Sequence, residues 1–351
     1  MGAGRRGVGA DFLGTLPTLP SMSQRPSRPL AADDALPPVE PPSAAFLVQL
    51  FLVPGLIVAI IVCVWLAFHW LAHLGNDPQA YVRTLRRANE GRWQAALNLA
   101  NDIRGPGGAA LKNDAALATE LGAILADEVA SGRTGEQSQM LELYLCRALG
   151  EFAVLEAATP LLERARDLDA PQRARAAVEA LAVLASNLAA AGKAWDERPM
   201  ADAVIAASRA SDGELVSAAA FTLGVVGGPG AAERLVELLG QSDDDIRHNA
   251  AIGLSRLGRT EAFPTLAEML SLPDVAVTAD DPVAQSARYK RALVVINALR
   301  ATALLVDAVP EGIPADVRRL VGELSDDPVG DVRSAAVALD RKMRRVGPAG
   351  G

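Results

Sequence analysis

The sequence predicts an all-α protein: an α-solenoid of stacked helical hairpins preceded by one transmembrane helix. Three observations carry that prediction. Half of the 351 residues are hydrophobic but only 4% are aromatic, and Ala dominates the apolar share. Such a composition suits closely crossing helices and not a β-sandwich or barrel. A second observation is that the segment from Ala44 to Leu74 contains no Asp, Glu, Lys or Arg. Finally, from Asn76 onward short amphipathic stretches alternate with Gly, Pro, Asp and Asn, and one stretch repeats itself.

In chain order, residues 1–43 read as a disordered tail. They are rich in Pro, Ser, Gly and Ala and show no hydrophobic period. Pro37-Pro38 and Pro41-Pro42 favour extended backbone. The charges of the tail cancel, Arg5, Arg6, Arg25 and Arg28 against Asp11, Asp33, Asp34 and Glu40, so the net charge of −8 belongs to residues 75–351. Residues 44–74 read as a retained transmembrane helix. The apolar run from Leu50 to Phe68 is close to the roughly 20 residues that cross a hydrocarbon core. It is longer than the apolar region of a signal peptide and lies farther from the N-terminus. Trp65 and Trp70 are placed at the membrane interface, where amphipathic rings settle, and His69 belongs to the same belt. His69 and His73 share a helix face, but two ligands on one helix do not make a metal or haem site. Arg83, Arg86 and Arg87 follow closely and would meet anionic headgroups. With Arg92 they outnumber Arg25 and Arg28 on the other side, which places the C-terminal domain in the cytoplasm. Unpaired Cys63 and Cys146 suit a reducing compartment. The Ala and Arg-over-Lys bias suits a high-GC bacterial genome, and so a bacterial inner membrane.

Residues 75–135 read as helical juxtamembrane hairpins, residues 136–346 as the main repeat array and residues 347–351 as a flexible end. The repeat is clearest where Glu214–Leu239 is set against Asp245–Leu270, an offset of 31 residues. Leu215 then falls on Ile246, Ala219 on Ala250, Leu223 on Leu254, Gly227 on Gly258 and Leu235 on Leu266. Ile246, Ala250, Leu254 and Leu257 mark one helix face, and Phe263, Leu266, Met269 and Leu270 the next. Gly258 can close the first helix in a left-handed conformation. Asp243, Asp244 and Asp245 supply oxygens for an N-cap. Asp280-Asp281-Pro282-Val283 returns as Asp326-Asp327-Pro328-Val329, an Asp cap before Pro at the first helical position. Met140–Gly150 and Arg173–Ala185 read as diverged first helices, and Pro273–Asp281 as an insertion. One hairpin cannot bury its own stripe, so the array is stable only as a stack.

The pattern Asp-Asp-Ile-Arg-x-x-Ala-Ala-x-x-Leu-x-x-Leu-Gly at Asp244–Gly258 resembles a HEAT repeat, in the short variety also found in phycobilisome lyases. The resemblance is good over 211–270, fair over 280–345 and slight over 136–210. It implies that Asp245 with Arg247, and Asp331 with Arg333, link adjacent repeats. Leu85–Ile103, with Gly91-Arg92-Trp93 and Ala95-Ala96-Leu97, is more similar to a single tetratricopeptide-type hairpin. Such arrays are generally protein-binding modules. A cofactor-handling, lyase-like role is the alternative that the resemblance implies.

Catalytic chemistry finds little support. Gly253–Thr260 mimics a phosphate loop but lacks the preceding strand, and the repeat explains its glycines. Asp243–Asp245 lacks the spread of an EF-hand. No Ser, Cys or Lys carries the signature of an activated nucleophile. His248 stands alone, and Arg341, Lys342, Arg344 and Arg345 suit a helix C-terminus. No cofactor is expected, and an acidic balance argues against nucleic acid. The expected function is a membrane-anchored, non-catalytic scaffold held in the bilayer by one helix. Its protein partners would carry basic surface. Trp195, in the polar loop Gly192–Pro199, is a candidate anchor, with packing beneath the loop the stronger reading.

Overall fold

Ala-rich stripes bounded by Asp caps and Gly stops fold into helices throughout the computed structural model, which describes residues 43–73, 78–87, 91–278 and 280–346. No strand occurs among the described residues. Apart from Ser43, the N-terminal tail lies outside them, as do residues 347–351. The chain divides into two units, residues 1–72 and 73–351.

The described part of the first unit is essentially one helix, α1 (Ala44–His73), 30 residues long and continuing through Pro54. Its stretch Val48–Phe68 has mean hydropathy 2.9 and no buried residue. By length and composition it can cross a membrane. The side chains of His69, Trp70 and His73 lie outside the described set.

The second unit is built from α2 (Pro78–Arg86), α3 (Arg92–Arg104), the single turn α4 (Ala109–Lys112), α5 (Ala115–Ala130) and α6 (Glu136–Gly150). There follow α7 (Ala158–Ala165), α8 (Pro171–Ala190), α9 (Arg198–Ala207), α10 (Gly213–Val226) and α11 (Ala231–Leu238). The chain closes with α12 (Asp244–Arg256), α13 (Phe263–Leu270), α14 (Pro282–Ala308), α15 (Ala315–Leu324) and α16 (Gly330–Val346). Helices α3, α6, α8, α10, α12, α14 and α16 pack each against the next as one continuous layer. A second layer of α2, α5, α7, α9, α11, α13 and α15 backs it, each member packed on its own hairpin partner. This is a solenoid of helical hairpins, and α3 stacks on α6 as later helices of its layer stack on theirs.

Small residues set the spacing within the first layer. An ideal Cβ on Gly224 would stand 2.2 Å from Cα of Gly253, and one on Gly150 would stand 2.9 Å from Cα of Ala180. Glycine therefore allows α10 to meet α12, and α6 to meet α8, backbone to backbone. The register expected from the 31-residue offset is present: Gly227 and Gly258 close α10 and α12 at φ 68° and 69°. The core runs the length of the array, from Leu85 and Leu99 through Leu149, Leu184 and Leu254 to Leu299 and Leu339.

Capping follows the Asp residues, with one correction. Asp114, Asp212, Asp243 and Asp281 each accept from backbone N–H groups at the start of α5, α10, α12 and α14. Pro282 occupies the first turn of α14 as expected. Pro328 does not do the same, because α16 begins only at Gly330. Asp327 is otherwise engaged: one oxygen accepts from Val329 N at 2.8 Å and the other pairs with Arg291 at 2.6 Å.

Candidate functional site

The outer surface of the first layer carries several clefts. One of about 310 Å³ lies across α3, α6 and α8, between Leu143, Arg147, Ala176 and Val183. Another of about 450 Å³ lies over the first turns of α10 and α12 and is lined by Glu179, Glu214, Ser217, Asp245 and Asn249. A third of about 870 Å³ runs over α8, α10 and the end of α12, past Val183, Phe221, Val225 and Arg256.

These clefts share walls. Leu143 and Val183 face the first, and Val183 and Phe221 face the third. One apolar residue per helix thus forms a stripe across α6, α8 and α10, and each is between 37% and 39% exposed. Neighbouring helices lie about 8–10 Å apart, so the stripe is roughly 20 Å long. Arg256 closes one end, its guanidinium 4.5 Å from the centre of the Phe221 ring. Burial lowers the pKa of this guanidinium. Acidic groups flank the stripe at Glu179, Glu197, Glu214 and Asp245. Arg175 bonds to Glu214 and lies 3.7 Å from Glu179, while no ion pair among the described residues involves Asp245.

Beneath this surface, buried ion clusters join the hairpins. Glu142 on α6 meets Arg164 on α7 at 3.5 Å and Arg173 on α8 at 3.0 Å, and Arg164 also holds Asp167 at 2.8 Å. Cys146, one turn along, is buried, and desolvation pushes its thiol up to about 12. Glu128 is likewise buried and accepts from Arg92, Arg133 and Ser138. Burial alone would raise its pKa, but those donors prevail and hold the carboxyl at about 2. Sequence reasoning overlooked these clusters. Their signal was a charge inside an apolar stripe, as at Leu141-Glu142 and Leu161–Ala165 around Arg164.

The expected links between repeats take another form. Arg247 pairs with Asp244 and Glu268, each at 2.7 Å, and donates to the carbonyls of Gln241 and Ser242. Arg333 donates to the carbonyl of Asp327 at 2.6 Å. Asp245 and Asp331 pair with neither arginine, since residues two apart on a helix do not face one another. The arginines instead reach back to carbonyls of the preceding loop. The polar link between α12 and α10 is Asn249, which donates to Ser217 O at 3.3 Å and its hydroxyl at 2.9 Å.

Of the residues expected at a membrane interface, Trp65 is exposed on α1. Arg83, Arg86 and Arg87 are exposed on or just after α2, with Arg86 paired to Glu120 at 3.2 Å. Trp195 is half-buried and packs against the core. His248 is half-buried, and desolvation lowers its pKa. Gly253 serves the contact of α12 with α10. No group of three or more His, Cys, Asp or Glu among the described residues is placed to hold a metal ion.

Residues 201–287 match the family described as HEAT repeats. No curated protein matches the sequence. Among solved structures, the chain is similar to an engineered protein at 20% identity, over 78% of this chain and 98% of that one, with a TM-score of 0.33. It is similar to human deoxyhypusine hydroxylase in complex with glycerol at 19% identity, over 76% and 96%, with a TM-score of 0.30. A second engineered protein matches at 18% identity, over 77% and 99%, with a TM-score of 0.29.

Proposed function

We propose that this chain is a single-span membrane protein whose HEAT-like array holds other proteins at the bilayer and performs no chemistry itself. The observation that carries the proposal is the exposed stripe Leu143–Val183–Phe221, supported across three stacked helices. Aromatic and aliphatic groups on a rigid surface are the usual anchors of an interface. The acidic groups beside the stripe suit partners with basic surface, by complementarity and steering. The repeats are of the short variety that the pattern at Asp244–Gly258 resembles. The anchor is α1, whose apolar residues between Val48 and Phe68 are exposed. Trp65 and Trp70 settle at the interface. Arg83, Arg86 and Arg87 meet anionic headgroups on the cytoplasmic side of a bacterial inner membrane.

The test is capture of the full-length protein from solubilised membranes after mild cross-linking, beside a Val183→Glu/Phe221→Glu variant. A protein recovered in near-equal amount with the wild type, and lost with a variant of unchanged melting temperature, is the expected result. Raised salt weakens that association. Undiminished recovery by the variant overturns the proposal, as does a retained chromophore in place of a protein.

A further inference from the structure

The repeat accounts for neither the length of α14 nor the loop before it. Helix α14 runs for 27 residues, the most of any in the second unit. The connection from α13 spans residues 271–281, whereas Gly227–Gly230 suffices between α10 and α11. Arginines fix this connection to the helix. Arg288 holds both oxygens of Asp274 at 3.0 Å, and Arg291 Nε donates to Leu272 O at 3.1 Å. A wall held in this way is in place before any ligand arrives, which lowers the ordering cost of binding.

The loop, α14 and the start of α16 enclose a groove of about 560 Å³. Tyr289, Leu293 and Ile296 form its floor, spaced four and three along one helix face, with Val277 and Val329 at the sides. Tyr289 is 66% exposed and Leu293 43%. The lining of α14 extends from Gln285 to Arg300, about 24 Å at 1.5 Å per residue. Two turns of apolar floor, with polar side chains at both ends and walls on either side, match an amphipathic helix laid in a groove.

The charges narrow the occupant. Arg288 is neutralised by Asp274. Asp331 stands in the first turn of α16, where the positive helix end satisfies it. Arg300 lines the far end of the groove, and no carboxylate among the described residues pairs with it. We infer that this groove receives an amphipathic helix of a partner protein, its apolar side on Tyr289, Leu293 and Ile296 and an Asp or Glu against Arg300. This occupant differs in charge from the basic partner suited to the middle of the array, so the solenoid holds two dissimilar proteins.

The experiment places a photoreactive phenylalanine analogue at Leu293 of the full-length protein in native membranes and sequences the cross-linked peptide. Expected is a partner segment with apolar residues at helical spacing and a carboxylate within one turn of the cross-link. Arg300→Glu lowers its yield about tenfold, and Arg300→Lys retains most of it. Thermal melting shows that each variant is folded. Cross-links to a second copy of this chain or to lipid overturn the inference. So do a segment lacking a carboxylate, a yield indifferent to Arg300→Glu, and the absence of any cross-link. The same analogue at Phe221 reports separately on the middle of the array.

Discussion

Substituting Gly224 by Ala adds one methyl group at the closest crossing in the array. Its Cβ would lie 2.2 Å from Cα, 3.1 Å from C and 3.2 Å from O of Gly253. Carbon atoms rest about 3.5–4.0 Å apart, so α10 and α12 must separate by roughly 1.3 Å or more at this point. The obstacle is backbone, which has no rotamer to change. Ala gains about 1 kcal/mol over Gly in a helix interior, while overpacking costs about 1–3 kcal/mol and here falls at the upper end. The net expectation is a loss of about 2 kcal/mol, a melting temperature lower by about 4–8 °C. Gly322→Ala is the matched control, because nothing lies within 4 Å of its added Cβ. It should melt at or slightly above the wild type. Gly253→Ala should fall between them, since its nearest neighbour at 3.0 Å is the movable Cδ1 of Leu235. Circular dichroism of the full-length protein in detergent reads all three. A Gly224→Ala protein that melts at or above the wild type refutes the reasoning.

Glu128 gives a pH signature. Its carboxyl stands at about 2 against an ordinary 4.5, so its contribution is complete above about pH 4.5 and is lost as pH falls towards 2. The difference in urea stability between wild type and Glu128→Gln, no more than about 3 kcal/mol at pH 6, should shrink steadily below pH 4.5. Asp327→Ala strands the buried Arg291 guanidinium and should cost about 3 kcal/mol by the same assay; Asp327→Ala with Arg291→Met should recover much of it. Asp243→Ala removes the acceptor for two N–H groups of α12 and should cost about 1 kcal/mol.

Periodicity exposed the stacking of α10 through α13 because the helices there are short and their apolar positions repeat in register, with α10 and α12 closed by glycines at matching places. The same logic located α6 and α8, whose apolar spacing is looser. It could not find the contact of Gly224 with Gly253, because a helix-interior glycine reads the same whether it faces solvent or a neighbouring backbone. The family resemblance, and not periodicity, offered Asp245 with Arg247 and Asp331 with Arg333 as links between adjacent repeats, and it said nothing of where each arginine turns. Which way a side chain turns depends on the loop before it, and Gln241 and Ser242 leave carbonyls that only the fold reveals. The Leu143–Val183–Phe221 stripe was illegible for a related reason. Its members are single exposed positions on three helices, and no spacing along one helix connects them.

Cys146 lends the array an internal clock. A thiol pushed up to about 12 and closed off between stacked helices is protonated at neutral pH, and the thiolate is the species that alkylating reagents consume. With Cys63 replaced by Ser, the chain carries a single sulfhydryl. Its rate of modification then measures how often the middle of the stack parts from itself. Cargo that grips the adjoining surface would slow that rate, so engagement can be timed from within the protein, with no label on the cargo.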